Sequence, residues 1–358
     1  MRKITLLLLL PFLCHTTSAA DAQQKNKPDE QMQAVLEELA SLGGKPIESL
    51  SATEARKQPG PTDAVKRLME KQGKKQAENL SSVSNQSVKL GDISIPVRIY
   101  TPSGRGPFPV VFYIHGGGWV IADLDAYDAS ARALCSGVGA IVVSTHYRQA
   151  PEFKFPASHE DVMGVYEWIL KNEGKLNYDS KKIVIAGESA GGNMALGVCL
   201  MAKKKGIALP LYQALVYPVA DLTDLDSPSY LENATAKPLN KAMMQWFGKQ
   251  LFNKPEDAET NLLSPARAGD ALKGMPPATI INAEIDPLRS DGDKLADALT
   301  KAGVQVKHKV YAGVTHEFFG MASVVDKAKE AQEFVIADLR RALSLPAAPD
   351  ASGKTGAK

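Results

Sequence analysis

The sequence predicts an α/β fold: an eight-stranded, mostly parallel sheet with helices on both faces and a helical cap. Three observations carry this. From Val110 onward, short apolar runs alternate with helix-like stretches. Those runs are continuously apolar, as expected of strands covered on both faces. Two amphipathic stretches precede the first strand, and a turn-rich interval interrupts the alternation. The chain therefore holds helices that the winding of the sheet does not use.

Taken in order, the chain opens with Arg2 and Lys3 before a short apolar core from Ile4 to Leu13, then Ser18-Ala19-Ala20. This is the pattern of a cleavable secretory signal over residues 1–20, too short to span a bilayer. Leu13 before Cys14 is too large for a lipidation site, and no later segment is apolar enough for stable membrane insertion. The expected location is periplasmic or secreted. Residues 29–80 are expected as an N-terminal helical cap: Met32, Val35, Leu36 and Leu39 recur at helical spacing, Gly43-Gly44 stops that helix, and Val65, Leu68 and Met69 mark a second.

Residues 81–344 are expected as the catalytic domain. Val88–Leu90 and Ile93–Tyr100 form an antiparallel pair around Gly91-Asp92. The alternation follows: strand Val110–His115, helix Asp125–Ser136, strand Ala140–Ser144, helix Glu160–Lys171, strand Lys182–Ala186, helix Ala190–Lys204. Strands Leu211–Tyr217 and Ala278–Ala283 come next, then helix Leu288–Ala302, strand Val304–Tyr311 and helix Ala322–Leu343. The last strand is placed at a sheet edge, where a second copy could pair to make a homodimer. Residues 222–264, with one helix carrying Met243, Met244, Phe247 and Leu251, read as a cap insertion; the other reading is a surface excursion away from the site. The tail over 345–358, rich in Ala, Pro, Gly and Lys, is expected to be disordered.

Composition narrows the function. The 358 residues carry a net charge of +2, so no strong field gathers nucleic acid or anionic membrane. Cys135 and Cys199 sit among small and apolar residues, the usual setting of inert buried thiols; export would also permit a disulfide between them. There is no H-E-x-x-H, no cysteine pair at ligand spacing, no Walker loop and no G-x-G-x-x-G opening a helix, so neither metal nor cofactor is expected.

The chemistry-bearing residues begin with Gly187-Glu188-Ser189-Ala190-Gly191-Gly192, placed between a strand and a helix. A serine on such a turn stands out from the backbone as a nucleophile, provided a base takes its proton. Upstream, His115-Gly116-Gly117-Gly118-Trp119 follows a strand, and its glycines allow N–H groups to approach a substrate closely. Gly116 and Gly117, with Ala190, are the predicted oxyanion donors. An acid and a base should follow in that order. Asp286 lies just beyond one strand and His316 just after the last, on loops at strand C-terminal ends. Asp286 before Pro287 also reads as a helix N-cap. His146 and His159 precede the serine, His308 lies in a strand and His15 in the signal, which leaves His316.

With these motifs in place the chain resembles the bacterial hormone-sensitive-lipase group of α/β-hydrolase esterases. The likeness runs from about residue 32 to 343 and includes Gln33–Gly44, Asp63–Gly73, His115–Trp119, Tyr147-Arg148 and Ala150-Pro151-Glu152. It continues through Phe155-Pro156-Ala157, Gly187–Gly192, Asp286–Arg289 and His316-Glu317-Phe318. The resemblance implies a Ser189–Asp286–His316 triad, an oxyanion hole at the glycine turn and an N-terminal helical cap over the acyl pocket. Four positions depart from the family pattern. Glu188 stands where Asp is usual, His146 and Gln149 flank Tyr147-Arg148 in place of Asp and Leu, and Glu317 stands where Gly is more frequent. The implied activity is hydrolysis of short-chain carboxylic esters through an acyl-enzyme. An amidase or lactonase would share the site, a lipase would add a lid, and a ligand receptor on the same fold would be expected to lack a triad member.

Overall fold

The computed structural model of the chain describes residues 27–75 and 80–346. The expected signal segment, and the expected tail beyond residue 346, lie outside the described residues. Eight strands form a single sheet in the order β1-β2-β4-β3-β5-β6-β7-β8. They are β1 (Leu80–Leu90), β2 (Ile93–Pro102), β3 (Phe108–Ile114), β4 (Ile141–Thr145), β5 (Tyr178–Glu188), β6 (Gln213–Val216), β7 (Ala278–Ile285) and β8 (Val306–Thr315). Strand β2 runs antiparallel to both its neighbours, and β4, β3, β5, β6, β7 and β8 are mutually parallel. The last strand is an edge, as the sequence predicts.

Alternate residues of the central strands feed two separate cores. Val110, Phe112 and Ile114 of β3 join Ile183 and Ile185 of β5 on one face. Val111 and Tyr113 join Val184 and Ala186 on the other. Every one of these side chains is buried, which is why the strands read as unbroken apolar runs. Helices α4 (Asp128–Val138) and α11 (Asp326–Ala342) cover the second face. Helices α5 (Ala157–Lys171), α7 (Ala190–Lys205) and α10 (Arg289–Lys301) cover the first. The thiols of Cys135 on α4 and Cys199 on α7 are buried and free, and they face different cores; no disulfide joins them.

Ahead of the sheet come α1 (Glu30–Ser41), the single turn α2 (Ala52–Ala55) and α3 (Pro61–Lys71). Asp29 caps α1 by accepting the Met32 N–H at 2.8 Å. Pro61 opens α3 at a position where its missing N–H costs nothing. The first helix docks where β8 ends: the Asp29 N–H donates to Gly313 O, and Met32 Sδ accepts from the Thr315 hydroxyl. Residues between β6 and β7 add α8 (Pro228–Glu232) and α9 (Lys241–Leu251). A further single turn, α6 (Glu173–Leu176), precedes β5.

Several boundaries differ from the sequence reading. Helix α4 starts at Asp128, three residues late, because the Asp123 carboxylate accepts the N–H groups of Asp125 and Ala126 and makes them a turn. Helix α11 starts at Asp326, not Ala322, because Phe318–Met321 forms a 3₁₀ turn that buries Phe318, Phe319 and Met321. Strand β5 reaches back to Tyr178, where the first turn of its pairing meets Phe108 of β3.

Candidate active site

Four strands end at one place. Ser189 follows β5, Asp286 follows β7, His316 follows β8, and the glycine turn from His115 follows β3. All four lie one residue past a strand C-terminus, the position where open parallel sheets gather their ligand-binding groups. The three residues predicted as nucleophile, base and acid are brought together. Ser189 Oγ lies 3.0 Å from His316 Nε2, and His316 Nδ1 lies 2.6 Å from Asp286 Oδ2. With Nδ1 carrying the proton toward Asp286, Nε2 is left as the acceptor for the serine O–H.

The serine turn is tight and strained. Ser189 has φ +56°, a left-handed value that a residue with a side chain adopts only when its surroundings enforce it. Its N–H donates to Val216 O at 2.9 Å and its carbonyl accepts from Asn193 and Val219. The flanking glycines follow from close approach. A Cβ at Gly187 would sit 2.2 Å from Gly191 O, and one at Gly191 would sit 2.0 Å from Ile114 O. No other residue type fits there.

The glycine turn runs alongside the nucleophile: a Cβ on Gly116 would be 3.1 Å from Ser189 Cβ. Gly117 and Gly118 both hold positive φ. Tyr147 braces the turn by donating to the carbonyls of His115 and Gly116, at 3.1 and 2.9 Å. Neighbouring Arg148 grips the buried Asp161 with its guanidinium and its backbone N–H. Ala190, the third predicted donor, is the first residue of α7 and is fully buried beside Ser189. Its N–H belongs to the helix's N-terminal end, where the dipole favours negative charge.

The other histidines among the described residues have structural partners. His159 Nε2 meets Asn193 Oδ1 at 3.1 Å inside the core, and His308 Nε2 meets Asn282 Oδ1 at 3.1 Å. Burial holds His159 down to about 4 and His115, which stacks on His146 and Tyr147, down to about 3. For His316, burial opposes protonation. The Asp286 carboxylate outweighs it, with Glu317 and Glu188 adding to the effect, so its pKa rises.

Two departures noted in the sequence prove to be one feature. The buried Glu188 accepts from the hydroxyls of Tyr113 and Tyr217, and Glu317 accepts from the Tyr127 hydroxyl at 2.5 Å. The Tyr217 ring packs on His316 with centroids 4.5 Å apart. Burial raises Glu188 to about 7, with help from the charge of Glu317 and against its tyrosine hydrogen bonds. These tyrosines were missed because β3, the residue before α4 and the residue after β6 supply one each, with no common spacing.

Over the triad lies a cavity of about 780 Å³. Leu36 and Leu39 of α1, Met243, Met244 and Phe247 of α9, and Gly117 and Gly118 line it together with Ser189 and His316. The insertion therefore stands over the site and is not a distant excursion. It also holds the Asp286 loop: Ser229 of α8 donates to Pro287 O and accepts from the Ser290 N–H, and Asn233 donates to Asp286 O. Among the described residues, no group of three or more His, Cys, Asp or Glu is placed to hold a metal ion, and no helix is long and apolar enough to cross a membrane.

Residues 111–320 match the protein family described as alpha/beta hydrolase fold. Carboxylesterase NlhH of Mycobacterium tuberculosis is 40% identical over 258 residues, covering 71% of this chain and 80% of that protein. Ethyl acetate hydrolase of Pseudomonas putida is 31% identical over 323 residues, covering 88% of this chain and 99% of that protein. Among solved structures, a thermostable esterase from Pseudomonas putida superposes with a TM-score of 0.80 at 31% identity, over 89% of this chain and 99% of the other.

Proposed function

The chain belongs to the alpha/beta hydrolase fold family and is a carboxylesterase of its hormone-sensitive-lipase-like group, and from that premise we propose that it hydrolyses short-chain acyl esters through an acyl-enzyme on Ser189. The observation that carries the proposal is the continuous line Ser189 Oγ, His316 Nε2, His316 Nδ1, Asp286 Oδ2, with spacings of 3.0 and 2.6 Å, whose Ser189 and His316 line the cavity.

In the proposed reaction His316 takes the Ser189 proton as Oγ attacks the ester carbonyl. Asp286 holds the ring and stabilises the imidazolium. The N–H groups of Gly116, Gly117 and Ala190 receive the oxyanion, which forms beside the N-terminus of α7. Collapse expels the alcohol, which takes its proton from His316. Water then repeats the sequence on the acyl-enzyme and releases the acid. The short-chain preference is supported by the relative named ethyl acetate hydrolase, and Met243, Met244 and Phe247 line the cavity that Ser189 shares.

Hydrolysis of p-nitrophenyl esters from acetate to palmitate, by the protein and by Ser189→Ala, tests this. The rate should peak at short acyl chains, and the variant should lose at least about a thousandfold in turnover. Turnover surviving in Ser189→Ala would overturn the assignment. A folded protein inert on every ester would move the substrate to an amide or lactone.

A further inference from the structure

Glu317 stands one residue past the proposed base and faces the reacting side of its ring. Its backbone has φ +70°, a conformation that glycine holds freely and that side chains rarely adopt. The side chain nevertheless turns inward. Oε1 accepts from the Tyr127 hydroxyl at 2.5 Å and stands 3.9 Å from His316 Nε2. An additional orienting acid would be expected at Nδ1, but Asp286 already fills that side at 2.6 Å. Nε2 is the nitrogen that meets Ser189, so every proton of the reaction passes through it.

Two acceptors bridged by one water stand roughly 4 to 5 Å apart, given ordinary hydrogen-bond lengths and the angle between the two O–H bonds. The spacing of 3.9 Å between Glu317 Oε1 and His316 Nε2 lies just below that range, so a bridging water fits once the two groups part slightly. The surroundings also suit water. A second cavity of about 310 Å³ shares Tyr127 and Glu317 with the substrate cavity. Its other walls include Glu188, Arg98 and the Ser323 segment. Glu317 stands at the divide, with 23% of its side chain still accessible. The second cavity thus gives water a route to Glu317.

We propose, resting on the acyl-enzyme reading above, that Glu317 holds the water that cleaves the acyl-enzyme. One O–H of that water donates to His316 Nε2 and the other to Glu317. The first proton passes to Nε2 as the water oxygen bonds to the acyl carbon. The bond from that carbon to Ser189 Oγ then breaks, and the imidazolium returns the proton to Oγ. The carboxylic acid leaves, and Glu317 is unchanged. An alcohol has a single O–H, which must serve His316, so it gains nothing from Glu317. The carboxylate therefore selects water over competing alcohols.

The test is partitioning of the acetyl-enzyme between water and added methanol, read as the ratio of methyl acetate to acetate formed from p-nitrophenyl acetate. Glu317→Gly suits the left-handed backbone and should fold at least as well as the parent. The ratio should rise at least about tenfold in this variant, the size of one hydrogen bond lost from the water. Glu317→Gln, which keeps an acceptor oxygen, should fall between. A ratio within about twofold of the parent in both variants overturns the proposal. Intact-mass detection of acetylated enzyme separates the two levels. Acetylated enzyme with an unchanged ratio refutes the water-holding role alone, whereas no acetylated enzyme under any condition removes the acyl-enzyme reading and this inference with it.

Discussion

Asp286 serves the loop and the imidazole at once. Oδ1 accepts the Leu288 N–H at 2.8 Å, tying down the start of α10, while Oδ2 receives His316 Nδ1–H at 2.6 Å. Of the two readings that the sequence left open for this residue, the cap is not made: Leu288 is the N-cap of α10 and no side chain caps it, so Asp286 closes a turn just ahead of the helix while its other oxygen faces His316, as the proposed acid must. Asp286→Asn keeps the volume but offers an amide to a ring that needs an acceptor. Turnover should drop roughly 10³- to 10⁴-fold, the scale for a triad locked in the wrong tautomer. The pH profile supplies an independent check. The carboxylates raise His316 above its ordinary 6.5, so the acid limb of kcat/KM in the parent should lie above pH 6.5. In Asp286→Asn the residual activity should carry that limb to lower pH. An unmoved limb would show that another group sets it. The Ser189–His316–Asp286 juxtaposition was legible because the order of these residues and their strand-end placement are local properties of the chain. The Glu188–Tyr113–Tyr217 and Glu317–Tyr127 pairs were not, since they join segments that only the folded sheet makes neighbours.

At the scale of elements, the proposed ester preference turns on the helices that line the cavity. Helix α9 lays Phe247 against the glycine turn so closely that a Cβ on Gly118 would meet its ring at 2.3 Å. Met243 and Met244 sit beside it in the cavity wall, both nearly fully buried. Methionine is unbranched and adaptable, and truncating one leaves space that a longer acyl chain can fill. Met244→Ala should therefore move the optimum of the p-nitrophenyl ester series to longer acyl chains by about two carbons, at a stability cost of about 2 to 3 kcal/mol. An unchanged optimum in a folded variant would place the acyl chain elsewhere in the cavity. The apolar periodicity of α9 was visible in the sequence. The single turns α2 and α8 were not, because four or five residues are too few to show a helical period. Yet these short turns carry the docking. Arg56, at the end of α2, donates to Val120 O and Ala150 O and pairs with Glu152, so the N-terminal segment is fastened to the loop that follows the glycine turn.

For the whole molecule, buried ionisable groups set how stability depends on pH, and here they oppose one another. Burial raises Glu188 from 4.5 and Asp291 from 3.8, each to about 7. As pH rises through the interval from about 4.5 to 7, the unfolded chain releases these two protons before the folded chain does, so both groups make stability fall. Burial lowers His115 and His159 from 6.5 to about 3 and about 4. As pH falls below 6.5, the unfolded chain takes up protons that the folded chain refuses, so both histidines make stability fall in the other direction. Between about pH 4.5 and 6.5 the two acids bind two extra protons in the folded state and the two histidines two extra in the unfolded state. Their contributions cancel, and the contribution of these four groups to stability should be nearly level there. The double substitution Glu188→Gln with Asp291→Asn removes one side of the balance. Relative to the parent, its stability should then decline with falling pH below 6.5, by up to about 2.7 kcal/mol per pH unit for two protons. Urea unfolding at half-unit pH steps reads this directly as a divergence of the two profiles. Parallel profiles would mean that Glu188 and Asp291 are already ionised in the folded protein, and that the Tyr113 and Tyr217 hydroxyls and the Ala220 and Asp221 N–H groups suffice to hold those charges.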